Sequence, residues 1–322
     1  MQLIRSIHNL RQPLQGCALT IGNFDGVHLG HQAVLRHLRE KADELKLPMT
    51  VMLFEPQPSE YFSALKRQET QAPARLMRLR DKLYYLAQAG VDYVICVKFD
   101  RTFAAQSADE FIRNWLVGKL NVKFLSIGDD FRFGADRKGD FALLQQAGGQ
   151  YGFTVEDNHS FCLDERRISS TMIRQALAED NLQLAQSLLG KPYQIWGKVV
   201  HGKKLGRTIG FPTANIRLQR QVNPVKGVYA VKVRLKNGEI FQGVANIGQR
   251  PTVQGVKQLL EVHLFDFQCN IYGQNVAVEF SHKIRDEVKF PSLEALTEQI
   301  GKDVQTAKAY FQCFVPNRFE CK

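Results

Sequence analysis

Two kinds of hydrophobic spacing divide this chain. Up to about residue 185, short apolar runs alternate with stretches whose apolar residues recur every three or four positions. The runs at 18–21, 49–54, 93–97 and 122–127 predict buried strands, because continuous apolar segments of this length suit a sheet covered on both faces. Between them, Val34, Leu38, Ala42 and Leu45 predict one amphipathic helix, and Leu76, Leu79, Leu83 and Leu86 a second. Ser107, with Glu110 three positions later, is a capping box opening a helix that runs through Trp115. Such alternation predicts an α/β domain, a doubly wound, Rossmann-like parallel sheet that binds ligands beyond the carboxyl ends of its strands.

The pattern changes near residue 190. Strand-like runs at 194–200, 228–235, 240–244, 259–267 and 276–280 dominate, and Asn237-Gly238 is a hairpin signal. Leu296, Ile300, Val304, Ala307 and Phe311 form the apolar stripe of one late helix. This second half predicts a small antiparallel β-barrel closed by a C-terminal helix. The expected domains are therefore 1–185 and 186–322, with no internal repeat, low-complexity segment or long linker.

Composition narrows the classes. A chain of 322 residues with 44% hydrophobic content can bury two cores. No apolar stretch is long enough to span a bilayer, and the first residues lack a secretory apolar segment, so a soluble cytoplasmic protein is expected. Six cysteines, at 17, 96, 162, 269, 313 and 321, form no CxxC pair and read as reduced thiols. The net charge of +11 suits either a nucleic-acid partner or polyanionic nucleotides. The basic residues are spread along the chain without a block of five, which favours small anions over a long duplex, and neither a nucleic-acid nor a membrane partner is expected.

The densest chemistry lies in Gly22-Asn23-Phe24-Asp25-Gly26-Val27-His28-Leu29-Gly30-His31. It runs from a strand end through a glycine turn into a helix, where exposed amides and the helix dipole attract phosphate. His28 and His31 lie three residues apart on the first turn, positioned to donate to a phosphate as charge builds on it. A chance pair or a zinc pair is the competing reading, but the surrounding Gly-Asn-Phe-Asp-Gly argues against chance, and zinc favours i, i+4 spacing and a following Glu, which is absent. Farther on, Arg167-Ile168-Ser169-Ser170-Thr171-Met172-Ile173-Arg174 sets hydroxyls at a helix start between two guanidiniums, either plain N-caps or a second phosphate grip. Gly128-Asp129-Asp130-Phe131-Arg132-Phe133-Gly134 predicts a loop at the ligand edge. Its aromatics, and Phe62, either stack on a planar ligand or pack beneath the loops.

In the second half, Gly206-Arg207-Thr208-Ile209-Gly210-Phe211-Pro212-Thr213-Ala214-Asn215 permits close backbone approach and offers neutral oxygens at Thr213 and Asn215. These suit Mg²⁺ arriving on a nucleotide, or else mark an ordinary barrel turn. Glu261 shares a strand face with Leu259, His263, Phe265 and Phe267, as a general base or as half of a salt bridge. Gly197 to Lys203 superficially fits a P-loop, but Lys204 replaces the required hydroxyl residue and no helix is expected after it.

The His28–His31 motif with the Ser-Ser-Thr segment is similar to the HxGH nucleotidyltransferases, which share their architecture with class I aminoacyl-tRNA synthetases. An RNA-binding protein of that type is therefore the alternative. GNFDGVHLGH, GDDFRFG, RISSTMIR, GRTIGFPTAN, GVYAVKV, GVANIGQRPT, LEVHLFDF and KIRDEVKF occur in that order. In this the chain resembles the bacterial bifunctional riboflavin kinase/FAD synthetase family over nearly its full length. The resemblance implies that the barrel phosphorylates riboflavin with ATP and Mg²⁺, giving FMN, and that the first domain adenylylates FMN to FAD. It implies Thr213 and Asn215 at the metal and phosphates, with Gly206 and Arg207 beside them, and Glu261 as base. Gly22 to Gly26, His28, His31, Arg167, Ser170, Thr171 and Arg174 would hold the other nucleotide. Phe62, Asp130, Phe133 and Arg285 would border flavin, although many members have Asn where Asp130 stands. It leaves the tail 315–322 without a motif and suggests a monomer or weak oligomer.

Overall fold

The computed structural model describes residues 1–5, 10, 12–65, 72–158, 162–163, 166–202, 205–218, 220, 222–252 and 255–313. At 162–163, 166–167, 205, 249–252 and 255–258 it describes backbone alone, so the side chain of Arg167 lies outside it, as do Lys203, Lys204 and the tail 315–322. Contacts divide the chain into two units, one of residues 1–73 and 77–170, the other of residues 74–76 and 171–322.

In chain order the elements are β1 (Gln2–Arg5), β2 (Cys17–Ile21), α1 (Leu29–Glu44), β3 (Met49–Glu55), α2 (Pro58–Leu65), α3 (Leu79–Gln88), β4 (Tyr93–Lys98), α4 (Arg101–Ala104) and α5 (Ala108–Glu110). A π-helical stretch over Phe111–Lys119 continues α5, and β5 (Val122–Ile127), α6 (Phe141–Tyr151) and β6 (Thr154–Asp157) follow. The six strands form one parallel sheet in the order β1-β4-β3-β2-β5-β6. Its strand order reverses at β2, between β3 and β5, where an open α/β sheet leaves a crevice at its carboxyl edge.

Alternate side chains of β2 explain why both faces are covered. Leu19 and Ile21 join Ile95, Trp115, Leu116 and Leu125 in one core, while Ala18 joins Leu35, Leu38, Val51, Leu53 and Val94 in the other. The first helix buries Leu38 and Ala42 of the predicted stripe, with Leu35 in place of Val34, and Leu45 is its exposed C-cap. The Ser107–Glu110 capping box forms with both reciprocal bonds.

A two-stranded hairpin, β7 (Cys162–Leu163) with β8 (Arg166–Arg167), precedes α7 (Ser170–Ala178) and α8 (Leu182–Leu189). Beyond these come β9 (Gln194–Val200), α9 (Leu205–Thr208), β10 (Ala214–Arg217), β11 (Gly227–Arg234), β12 (Ile240–Thr252), β13 (Gly255–Leu264), β14 (Asn275–Arg285) and α10 (Leu293–Cys313). The barrel closes in the order β10-β13-β12-β11-β14-β9 by antiparallel pairing throughout. Ile195, Val199, Ile216, Tyr229, Val231, Leu260, Val262 and Val278 are almost fully buried in this unit. The last helix packs Ala307 and Phe311 against Val228, Ala230, Val244 and Phe265 on the outer face.

Four barrel strands differ from expectation, and one of them, predicted at 276–280, runs on to Arg285. The strand predicted at 240–244 runs on to Thr252, because backbone pairing carries it through Gly243, Asn246, Gly248 and Pro251, where the apolar pattern fails. The strand predicted at 259–267 ends at Leu264, and Asp266 turns the chain with φ 51°. The strand holding Asn215, β10, is four residues long and carries too little apolar pattern to be seen in sequence.

Candidate active sites

The first site is assembled at the carboxyl ends of β2, β3 and β5. After Ile21 the chain turns through Phe24, Gly26 and Val27, all at positive φ (47°, 89° and 40°), and enters α1 with His28 as N-cap. The His28 Nδ1 accepts the His31 backbone N–H at 3.3 Å. With Nδ1 acting as acceptor, a neutral ring carries its proton on Nε2. The two imidazoles stack with centroids 3.6 Å apart and planes 19° from parallel, and His31 also meets the Phe24 ring at 4.8 Å. Gly30 keeps this stack possible, since a Cβ there would stand 3.2 Å from both His28 Nδ1 and the Ile168 carbonyl.

The turn is fastened from beneath. Met77 N–H donates to Asp25 Oδ1 at 3.0 Å, Ser170 Oγ donates to the Asp25 carbonyl at 2.8 Å, and the Lys82 ammonium donates to the Asn23 carbonyl. Asp25 and Lys82 are both about 2% exposed, so a buried cation sits under the turn expected to meet phosphate. Lys82 was not among the residues singled out from sequence. Its signal was present nonetheless, as a lysine three residues after Leu79 and four before Leu86 on an apolar stripe.

A cavity of about 1460 Å³ opens over these residues, lined by Gly22 to Asp25, His28, His31, Phe62, Asp130, Phe133 and Ser170 among others. A site for one small ligand measures about 300–1,000 Å³, so this one has room for two reactants. Phe62 is half exposed and lines this cavity. Phe133 does line the cavity, but it is 7% exposed and stacked on Phe131 at 5.6 Å, so most of its ring packs beneath the loop. Phe54, Phe99 and Phe103 extend the aromatic wall in edge and tilted contacts of 5.5–5.7 Å. Ser170 aims its proton at the turn rather than at the cavity. Thr171 and Arg174 belong to the second unit, where Arg174 Nε donates to the Ala74 carbonyl at 2.6 Å.

The second site lies on the barrel. Gly206 closes a tight loop, with Phe211 N–H donating to its carbonyl at 2.8 Å and no space for a Cβ. A small cleft is lined by Gly202, Arg207, Pro212, Thr213, Asn215 and Tyr272. Asn215 is 8% exposed, and its amide occupies the space that a Cβ at Gly202 would need. Two neutral oxygens at a glycine-made gap fit a hard cation that keeps phosphate and water ligands. Glu261 stands opposite Asn215 in the β10–β13 register. Leu260, Val262 and Leu264 are buried while Glu261 and His263 are partly exposed, so the carboxylate occupies the outer face of the barrel. His263 Nδ1 lies 2.9 Å from the Pro212 carbonyl and ties that face to the cleft. Arg285 holds Asp303 of α10 in a fork of 2.7–3.1 Å, so most of its guanidinium is engaged within the protein. Gly197 is a strand residue packed against Ile216, in keeping with rejection of a P-loop, but the short helix α9 does follow Lys204, contrary to expectation.

Residues 10–172 match the family model described as FAD synthetase, and residues 189–311 match riboflavin kinase. The bifunctional riboflavin kinase/FMN adenylyltransferase of Haemophilus influenzae is 71% identical over 311 residues, covering 97% of this chain and 99% of that protein. The Escherichia coli K12 protein of the same name is 59% identical over 312 residues, covering 97% and 98%. A Streptococcus pneumoniae crystal structure titled macrolide-efflux protein is 31% identical and superposes with a TM-score of 0.76 over 96% of this chain and 99% of that one. No helix among the described residues is long and apolar enough to cross a membrane.

Proposed function

Because this chain belongs to the bifunctional riboflavin kinase/FMN adenylyltransferase family, making FMN and then FAD from riboflavin and ATP, we propose that its two reactions occur at the two sites described above. The observation that carries this assignment is the stacked His28–His31 pair at the edge of a cavity sized for two ligands. In the barrel, Glu261 takes the proton from the terminal ribityl hydroxyl. That oxygen then attacks the γ-phosphorus of ATP as the bond to ADP breaks. Thr213 and Asn215 hold the metal and phosphates. Mg²⁺, when bound, neutralises charge on the transferring phosphoryl group.

In the first domain an FMN phosphate oxygen attacks the α-phosphorus of a second ATP, and pyrophosphate leaves. His28 and His31 donate hydrogen bonds to the oxygens on which charge accumulates, and the turn amides from Gly22 to Gly26 cradle phosphate. Asp130, Phe62 and the aromatic wall border the flavin. The functional domains are 1–185 and 186–322, with 171–185 counted in the first although contacts group them with the second unit, and the enzyme works in the cytoplasm as a monomer or weak oligomer without a nucleic-acid partner. Chromatography of a reaction with riboflavin, ATP and Mg²⁺ tests the order of the two steps. FMN should appear first and FAD after it; FAD without transient FMN would contradict the scheme.

A further inference from the structure

We propose that Asn246 is a specificity residue of the kinase reaction, reading a secondary hydroxyl on the polyol chain of the alcohol that is phosphorylated. This rests on placing that reaction at Thr213, Asn215 and Glu261.

Barrel register carries the argument. Asn215 pairs with Glu261, Glu261 with Asn246, Asn246 with Val228, and Val228 with Arg285. Five adjacent strands therefore set these residues in one line, at steps of about 5 Å. Asn215 offers a metal or phosphate oxygen at one end, and Glu261 beside it is the base. Arg285 ends the line, committed to Asp303. Val228 is covered by α10, so between base and arginine Asn246 remains for whatever the reacting hydroxyl is attached to.

The Asn246 Oδ1 is buried and has no hydrogen-bond partner among the described residues. Neither neighbour on the line can supply one, because an ionised Glu261 has no proton to give and Val228 has no polar side-chain atom. Two residues along the strand, the Glu287 carboxylate fills the space over Gly248, adding another acceptor and no donor. A buried amide oxygen left without a donor is costly, and such a group usually meets its partner in a ligand or a water. A substrate whose terminal hydroxyl faces Glu261 presents its next hydroxyls over Asn246. A secondary hydroxyl supplies the missing donor.

The test compares riboflavin with the analogue bearing a 5-hydroxypentyl chain, which keeps the reacting hydroxyl and lacks the secondary ones. The ratio of their kcat/KM values is measured for the full chain. In Asn246→Leu this preference should shrink about tenfold, because the analogue never used the amide. A structural role would lower both substrates together and leave the ratio unchanged, which would overturn the proposal. Should Asn246→Leu not fold, Asn246→Ala carries the same test, with a reduced ratio in support and an unchanged ratio against. Glu261→Gln separates the underlying assumption: full kinase activity in that variant would remove the site itself, whatever the Asn246 ratios.

Discussion

Replacing Lys82 with Met tests how the adenylyltransferase turn is held. Methionine preserves the length and much of the volume of the side chain, so core packing around α3 should survive. What disappears is a buried ammonium and its hydrogen bond to the Asn23 carbonyl. A hydrogen bond from a charged group is worth about 1.5–3 kcal/mol, or roughly 10- to 150-fold in a rate that depends on it. Removing the cation also relieves its own desolvation, so the loss should appear in activity more than in stability. Two assays on one preparation separate these effects: FAD formation from supplied FMN and ATP, and FMN formation from riboflavin. The first should fall at least tenfold while the second stays within twofold. FAD formation within twofold of wild type would refute the idea that Lys82 sets the turn.

Gly30→Ala should cut FAD formation about tenfold without unfolding the protein, since a Cβ 3.2 Å from His28 Nδ1 and from the Ile168 carbonyl must displace the ring stack; an unchanged rate would show that the stack tolerates the shift. Asp303→Ala should destabilise the barrel unit by about 3 kcal/mol, because it leaves the Arg285 guanidinium half-buried and unmatched; urea unfolding within 1 kcal/mol of wild type would contradict this. Burial lowers the Lys191 ammonium to about 8 from its ordinary 10.5. The folded state then binds fewer protons than the unfolded one between those values, so this group's penalty is full below pH 8 and fades as pH rises toward 10.5. Lys191→Met should therefore raise stability at pH 7 by about 2–3 kcal/mol, with the gain shrinking by pH 10; a gain that grows with pH would reverse the sign.

Much of the fold could be read from spacing. The strand periods located the four central strands of the sheet within a residue or so, and the late stripe located α10. The less legible parts share a physical cause. The side chains that hold the sites interrupt the very patterns used to find elements: Asn215 lies in a four-residue strand, and Asn246 lies where β12 loses its apolar alternation. Lys82 and Asp303 sit inside helical stripes and look like breaks in them, yet each is 2% exposed and bonded to a specific partner. Ser170 and Phe133 show the opposite limit. Their residue types suit a ligand, but the structure turns the Ser170 proton onto Asp25 and most of the Phe133 ring onto neighbouring aromatics.

The central claim is that two separate sites in one chain carry out the two steps. His28→Ala and Glu261→Gln, each assayed with riboflavin and then with FMN in the presence of ATP and Mg²⁺, test it most directly. His28→Ala should make FMN and no FAD, and Glu261→Gln should make no FMN yet convert supplied FMN to FAD. Loss of both activities from either substitution in a folded protein, or survival of the step assigned to the altered residue, would contradict it.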